Sequence, residues 1–307
     1  MRSSTHASGW LDVAVTTEAG PLAAPVRQPL VQRLLPHSFR RSPLAIIAVG
    51  IVIAWILLAL GASVIAPYGP VNQDFVHRLA GPSASHLFGT DPLGRDILSR
   101  ILFGARLSVP VGIAAVVLAL VIGMVIGSVA GFFGGYVDEV IMRFTDLMLA
   151  FPTIILAMVI TAALGAGIKN ALIAIMIAWW PAYARLVRGL VLSTREREFV
   201  LVARAVGVSD ARVLVRHVIP NIISPIVIMG TLDVGNAILT FASLSFLGLG
   251  ATPDVAEWGS MISLGRTYFD QWWIGTFPGL AILSLVLAFN IVGDSLRDAL
   301  DPRFRKL

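Results

Sequence analysis

The sequence contains no cysteine, only two lysines (Lys169 and Lys306) and few charged residues of any kind. The missing cysteines exclude disulfides, thiolate metal sites and a cysteine nucleophile. Charged residues make up 13% of the 307 positions, whereas a soluble globular domain has about 25%. Hydrophobic residues make up 57% and the mean hydropathy is +0.84. These values exclude an ordinary soluble enzyme and a wholly disordered chain, so lipid is predicted to surround most of the polypeptide.

The chain also lacks the common motifs of catalytic sites. Neither lysine follows the glycine-rich loop Gly-x4-Gly-Lys-[Ser/Thr], so ATP phosphates cannot be held by a P-loop. The motifs His-Glu-x-x-His and Gly-x-Ser-x-Gly do not occur either. The chain is therefore predicted not to be an enzyme and to have no catalytic residue, no metal site and no cofactor of its own.

Long uncharged runs predict six membrane-spanning helices. A helix needs about 20 apolar residues to cross the hydrocarbon region of a bilayer. Asp233 does not divide its helix because no cluster of Pro or Gly accompanies it. The predicted fold class is an all-α integral membrane protein whose spans are 44–66, 107–131, 140–163, 170–190, 222–249 and 277–296.

The distribution of arginine and lysine predicts that both termini are cytoplasmic. Arg40 and Arg41 precede the first span, and this orientation places 17 of the 23 basic residues inside and 6 outside. The excess of basic over acidic residues is therefore interpreted as a signal for orientation in the membrane, and no nucleic-acid partner is predicted. Residues 1–43 are rich in Ser, Thr, Ala, Pro and Arg and are predicted to form a largely disordered cytoplasmic tail. Residues 297–307 are predicted to be the second cytoplasmic tail.

The first outer loop, residues 67–106, combines polar residues with an amphipathic stretch. The run from His86 to Asp96 could hold a metal or a substrate, but a turn shaped by Gly and Pro and closed by Asp–Arg pairs is the preferred interpretation. After it, one helical face is apolar and the opposite face carries Ser99 and Arg100. This pattern predicts an amphipathic helix at the outer membrane surface or against another helix.

The large inner loop, residues 192–221, predicts two short helices. The first ends near Gly207, Ser209 or Asp210 begins a second over 210–218, and Pro220 separates it from the fifth span. Such a compact protrusion is suited to docking into a groove of a partner. Periodicity alone equally allows a purely structural loop.

Four sequence blocks resemble a known family, the permease subunits of bacterial ABC importers. Ala203-Arg-Ala-Val-Gly207, followed by Pro220, is similar to the EAA loop of these subunits. Three further blocks resemble the "C" subunit of the dipeptide/oligopeptide (and nickel) branch. They are Gly89-Thr-Asp-Pro-Leu-Gly-Arg-Asp96 with Gly104-Ala-Arg106, Leu244-Ser-Phe-Leu-Gly-Leu-Gly250 with Glu257-Trp-Gly259, and Phe277-Pro-Gly-Leu-Ala281 with Phe289-Asn-Ile-Val-Gly-Asp-Ser-Leu-Arg-Asp-Ala-Leu-Asp-Pro302.

The resemblance covers about residues 44–305 and implies a type I permease fold in the bacterial inner membrane. It implies a second homologous permease, two ATPase subunits that bind ATP and Mg²⁺, and an extracytoplasmic peptide-binding protein as partners. It also implies that the 203–220 region couples to the ATPases. The residues expected in this role are Glu198, Ala203, Arg204, Ala205, Gly207, Ser209, Asp210, Arg212, Arg216, His217 and Pro220.

One departure from the family concerns the glutamate that opens the EAA pattern. This chain has Leu201 there, followed by Val202, and its nearest acidic residue is Glu198, one helical turn earlier. We hypothesise that Glu198 makes the polar contact that Leu201 cannot make.

Charged and aromatic residues within the spans are candidates for the translocation path. Asp233 lies near the middle of the fifth span and could meet the amino terminus of a peptide, or it could be paired or solvated without touching substrate. Trp180 could shape the cavity wall or merely pack. Asp146 is expected to pair with Arg143, three residues away on the same helix.

Two alternatives remain beside peptide import. The same architecture could import nickel complexes, glutathione or another small solute. A self-sufficient channel or secondary transporter belongs to a different class, but we find no inverted halves with broken helices that would favour a carrier.

Overall fold

The computed structural model describes residues 42–300, in which regular structure is helical apart from an isolated antiparallel bridge between Thr90 and Asp96. Nearly all of the predicted tail over 1–43, and positions 301–307, lie outside the described residues. The helices are α1 Pro43–Ile65, α2 Ile97–Phe133, α3 Gly135–Leu149, α4 Thr153–Leu164, α5 Ile168–Arg195, α6 Glu198–Ala205, α7 Asp210–Val213, α8 Ile219–Phe246, α9 Trp258–Thr267 and α10 Trp273–Leu300.

Five helical stretches in the described residues are long and apolar enough to cross a membrane. They are α1, α2, α5, α10 and a continuous 37-residue stretch, Asp210–Phe246, that contains α7 and α8. The residues at the start of α1 explain why the helix begins there. The Ser42 hydroxyl accepts a hydrogen bond from the Ala45 amide at 3.4 Å, and Pro43 occupies the first turn.

The predicted third span, 140–163, is not one continuous helix. The chain forms α3 and α4, which are bent by 89° at a short break. Phe151 precedes Pro152 at this break, and a residue before proline is driven out of the helical conformation. The bent pair is apolar enough to count as a sixth span, whereas the 12 residues of α4 alone are too short.

The predicted boundary between an amphipathic helix and the second span at residue 107 is also absent. Helix α2 runs without interruption over 37 residues and is capped by Asp96, whose carboxylate accepts the Ser99 amide at 2.8 Å. Two residues of its polar side, Ser99 and Arg100, are buried. Arg100 donates to the carbonyls of Pro70 at 2.9 Å and Val255 at 3.1 Å, which satisfies the buried guanidinium.

Pro220 does not separate the inner loop from the fifth span. A five-residue π-helix, Leu214–Val218, joins α7 directly to α8, and Pro220 lies in the first turn of α8. Proline lacks the N–H of a regular helix, and the wider turn before it accommodates the ring. The inner loop is therefore continuous with α8.

Small residues allow α2 and α5 to pack closely. A Cβ added at Gly127 would lie 2.3 Å from the Ala184 carbonyl oxygen, and one at Gly123 would lie 2.4 Å from Tyr183 Cβ. Gly131 faces Arg188 in the same way. This agrees with the role of small residues between membrane helices. Gly135 at the next four-residue step does not contribute, because it opens α3 and faces open space.

Candidate coupling site and membrane cavity

The coupling loop, residues 192–221, contains the end of α5, α6, a glycine turn, α7, the π-helix and the start of α8. Val200 and Ala203 are the buried side chains of α6. Gly207, with φ of +84°, ends the helix in the left-handed region, and the Val208 amide donates to the Ala203 carbonyl at 3.1 Å. Ser209 then begins α7. Buried residues of both short helices belong to one apolar cluster with the ends of the membrane helices.

An apolar cluster joins the coupling loop to three membrane helices. Its buried members come from the end of α2, from α5, from the loop itself and from the start of α8. They are Phe132, Val187, Val191, Val200, Ala203, Val213, Leu214, Val218, Ile222 and Ile226. Because protein interiors are close-packed, a displacement of the loop carries these helix ends with it.

Polar contacts reinforce the same junction. Arg195 donates to the carbonyls of Gly131 at 2.8 Å and Phe132 at 3.3 Å, so its cation lies at the negative end of α2. Arg204 pairs with Asp210 across the glycine turn at 3.3 Å. Its guanidinium also lies 4.7 Å from the centre of the Phe132 ring. Arg204 thus links α6 to α7 and to α2.

Three apolar side chains of α6 and that of Val206, directly after the helix, are exposed. Phe199, Leu201, Val202 and Val206 have exposed fractions of 40, 52, 61 and 73%. Beside them lies an open groove of about 860 Å³, lined by Phe133, Arg195, Glu196, Arg204 and Asp210, among others. Contiguous apolar surface with a polar rim is typical of a protein–protein contact. The arrangement can therefore receive a partner and pass its movement to the membrane helices.

Some of the predicted coupling residues shape or stabilise the loop, and most of the others are exposed on its surface. Ala203 is buried and packs, Gly207 shapes the turn, and Arg204 and Asp210 form the ion pair. Those with outward positions are Glu198, Ala205, Ser209, Arg212, Arg216 and Pro220, while His217 is half-buried. Sequence reasoning missed the exposed apolar residues of α6 as contacts. These apolar residues stand close together in a loop that is otherwise rich in charged residues, and this pattern could have indicated an exposed apolar surface.

A second candidate site is a cavity of about 390 Å³ between α4, α5 and α8. Asp233 lines it, and the Tyr183 hydroxyl donates to Asp233 Oδ2 at 2.7 Å. Trp179, Met229 and Asn236 lie in the same wall. The break between α3 and α4 brings Thr153 and Ile154 to the cavity as well. The site combines one carboxylate with mostly apolar walls.

Trp180 does not share this cavity. It is 8% exposed and stacks on Phe144, with ring centres 6.1 Å apart, in a separate apolar groove between α2, α3 and α5. The structure therefore separates the two residues that the sequence proposed for one path. The neighbouring Trp179 is the tryptophan beside Asp233.

Helix α3 is held to α5 by ion pairs. Arg188 binds Asp138 through two hydrogen bonds of 2.9 and 2.6 Å, and Arg185 contacts Asp146. The expected pair of Asp146 with Arg143 is therefore wrong, because Arg143 lies 3.6 Å from Glu139 instead.

Comparisons with known proteins identify the relatives of the chain. Residues 119–306 match the family described as binding-protein-dependent transport system inner membrane component. Residues 33–82 match the N-terminal TM domain of oligopeptide transport permease C. The chain is 46% identical over 267 residues to the dipeptide transport system permease protein DppC of Alkalihalophilus pseudofirmus, covering 87% of this chain and 88% of that protein. It is 48% identical over 269 residues to the glutathione transport system permease protein GsiD of Shigella flexneri serotype 5b, covering 87% and 89%.

Proposed function

Because the chain belongs to the family of binding-protein-dependent transport system inner membrane components, we propose that it forms half of the translocation pathway of an ATP-driven importer of di- and oligopeptides. It is a multi-pass permease subunit of the bacterial inner membrane, and ATP is hydrolysed by partner subunits rather than by this chain. The observation that carries the proposal is the exposed apolar surface of α6 on a loop packed into α5 and α8.

The proposed topology has six crossings with both termini in the cytoplasm. The bent pair of α3 and α4 serves as the third crossing, and the coupling loop then lies on the cytoplasmic side. The excess of basic residues in the segments assigned to the cytoplasm supports this orientation. The loop between α1 and α2 faces the outside, where a binding protein delivers substrate.

The proposed complex contains a second, homologous permease, two ATPase subunits and the extracytoplasmic peptide-binding protein. ATP with Mg²⁺ closes the ATPase pair and moves the coupling loop as a rigid body. The apolar cluster transfers this movement to α5 and α8, which line the membrane cavity. The pathway between the two permeases then opens alternately to each side, and substrate shifts the equilibrium only through different affinities for the two states.

The relatives narrow the substrate class. One is named for dipeptide transport and another for glutathione transport. Dipeptides and the tripeptide glutathione share a free ammonium and a free carboxylate. Asp233 supplies a negative charge in an otherwise mainly apolar cavity, so the proposal assigns it to the ammonium group of the passing peptide.

Asp233→Asn is expected to lower uptake of a dipeptide with a free amino terminus about tenfold, since a hydrogen bond to a charged group contributes about 1.5–3 kcal/mol. Uptake of the N-acetylated dipeptide should not change. The measurement is ATP-driven uptake of both peptides by the complex in proteoliposomes, with the same binding protein. Tyr183→Phe is the matched control, because it removes the partner hydroxyl and keeps the carboxylate. An equal effect of Asp233→Asn on both peptides, or no effect, would reject this role.

Glu198 lies exposed at the start of α6, one turn before Leu201. If it replaces the family's glutamate, Glu198→Gln should reduce ATPase-coupled transport severalfold because it removes a charged contact with the ATPase. Glu139→Gln, on the exposed face of α3, is the control. Unchanged coupled transport in Glu198→Gln would show that the loop docks without this charge.

The proposed function as a whole is tested by isolating the tagged chain from its native membrane in mild detergent and identifying its partners by mass spectrometry. Recovery of ATPases, a sibling permease and a binding protein is the expected result. The ligand of that binding protein then identifies the substrate. Recovery of the chain alone, as a stable homo-oligomer, would contradict the proposal and favour a channel or carrier.

A further inference from the structure

Three side chains outside the proposed transport sites converge in the loop between α1 and α2. Asp74, His77 and His86 each offer one ligand atom, and these three atoms lie within 4.8 Å of one another. His77 Nδ1 is 2.7 Å from Asp74 Oδ2, and the two imidazole rings have centres 5.9 Å apart. Two imidazoles and a carboxylate form a donor set typical of divalent transition metals.

His86 is oriented for such a role by a buried carboxylate. Its Nδ1 is 3.0 Å from Asp96 Oδ1, and both side chains are almost fully buried. Nε2 is therefore the nitrogen left for a ligand. Tyr68 stacks on the ring with centres 4.9 Å apart, which fixes its plane. A carboxylate bound to the second nitrogen of a histidine is the usual support of metal-binding imidazoles.

The backbone also holds Asp74 and His77 in place. Thr90 Oγ1 donates to the His77 carbonyl and accepts the Ala80 amide at 2.9 Å. Gly94 packs against Asp74 so closely that an added Cβ would lie 1.7 Å from the Asp74 carbonyl oxygen. These contacts connect the 3₁₀ turn Phe75–His77 to the turn that precedes α2. The donor set is thus assembled before any ligand arrives.

We propose that Asp74, His77 and His86 bind one divalent cation of the imidazole-preferring class, represented by Zn²⁺. Three protein ligands leave a fourth position for water or for a group of another molecule. The cation would join the 3₁₀ turn to the start of α2 through His86 and Asp96. This goes beyond the sequence interpretation of the loop as a turn closed by Asp–Arg pairs. The Arg95–Asp91 pair of 2.6 Å does close that turn, but Asp74 and His77 lie outside it.

The test is Zn²⁺ binding by the full-length chain, carrying a tag without histidine, in detergent and measured by competition with a chromophoric chelator. The chain is expected to bind one Zn²⁺. His77→Gln and Asp74→Asn should each raise Kd by at least about tenfold, because even loss of a supporting partner costs about 10- to 100-fold. Both positions are partly or fully exposed, so neither substitution disturbs the core.

His217→Gln and Asp270→Asn are the matched controls, since each removes the same side-chain type elsewhere in the chain. They should retain the native Kd. Asp96→Asn, which keeps a residue able to cap α2, should weaken binding through His86. The proposal is overturned if the native chain shows no saturable binding, or if the Asp74 and His77 variants bind as tightly as their controls.

Discussion

The double substitution Val202→Asp and Val206→Asp is expected to abolish recovery of the ATPase subunits with this chain. The two side chains are 61 and 73% exposed; Val202 lies in α6, and Val206 directly follows the helix. In the proposed complex they face the ATPase, where an unpaired charge would be buried. Such a charge costs about 3–5 kcal/mol, which lowers affinity more than 100-fold. The measurement is co-purification of the ATPases in detergent, followed by ATP-driven uptake.

Val71→Asp with Leu87→Asp is the matched control. Both residues are 58% exposed and lie in the loop between α1 and α2, on the opposite side of the membrane in the proposed topology. ATPase recovery should be unchanged in this variant. Normal ATPase recovery with the α6 variant would mean that the partner docks elsewhere.

Gly207→Val is expected to reduce uptake by about 5- to 30-fold while basal ATP hydrolysis continues. Gly207 has φ of +84°, and an L-residue pays roughly 1–2 kcal/mol in the left-handed region. Nothing lies within 4 Å of an added Cβ at Gly207, so the effect comes from the backbone alone. The altered turn would misplace α7 relative to α6 and weaken transfer of the ATPase movement.

Gly207→Asn separates conformation from loss of the glycine itself, because asparagine tolerates the left-handed region better than valine. Uptake by this variant should lie between those of the native chain and Gly207→Val. The ratio of peptide transported to ATP hydrolysed is the quantity to measure. Equal ratios in all three proteins would show that the turn has no part in coupling.

The helices that sequence predicted best are those whose apolar residues form an unbroken run. Helix α1 begins and ends within one residue of the predicted span 44–66, since Ser42, Pro43 and Pro67 bound it. Proline was harder to interpret. Pro152 breaks a predicted helix, whereas Pro220 fits into one because a π-turn precedes it. The presence of a proline therefore does not by itself determine whether a helix is interrupted.

Contacts between distant segments were the hardest to predict. Asp146 pairs with Arg185 across two helices, and Asp233 meets Tyr183 fifty residues away. The periodicity of apolar residues does not predict which residues far apart in the sequence will be in contact. The two short helices of the inner loop were easier to predict because the glycine turn between them is a local feature. The apolar surface of this loop was missed because exposure depends on how α6 packs against α2 and α5.

The most direct test of coupling through α6 uses the absence of native cysteine. A single cysteine at Leu201, which is 52% exposed, would carry a photoactivatable maleimide in the assembled complex. Irradiation is expected to join this position to an ATPase subunit, with a yield that changes when ATP is added. The same probe at Leu87 should not reach the ATPase. Labelling of lipid or of this chain alone from position 201 would contradict the account.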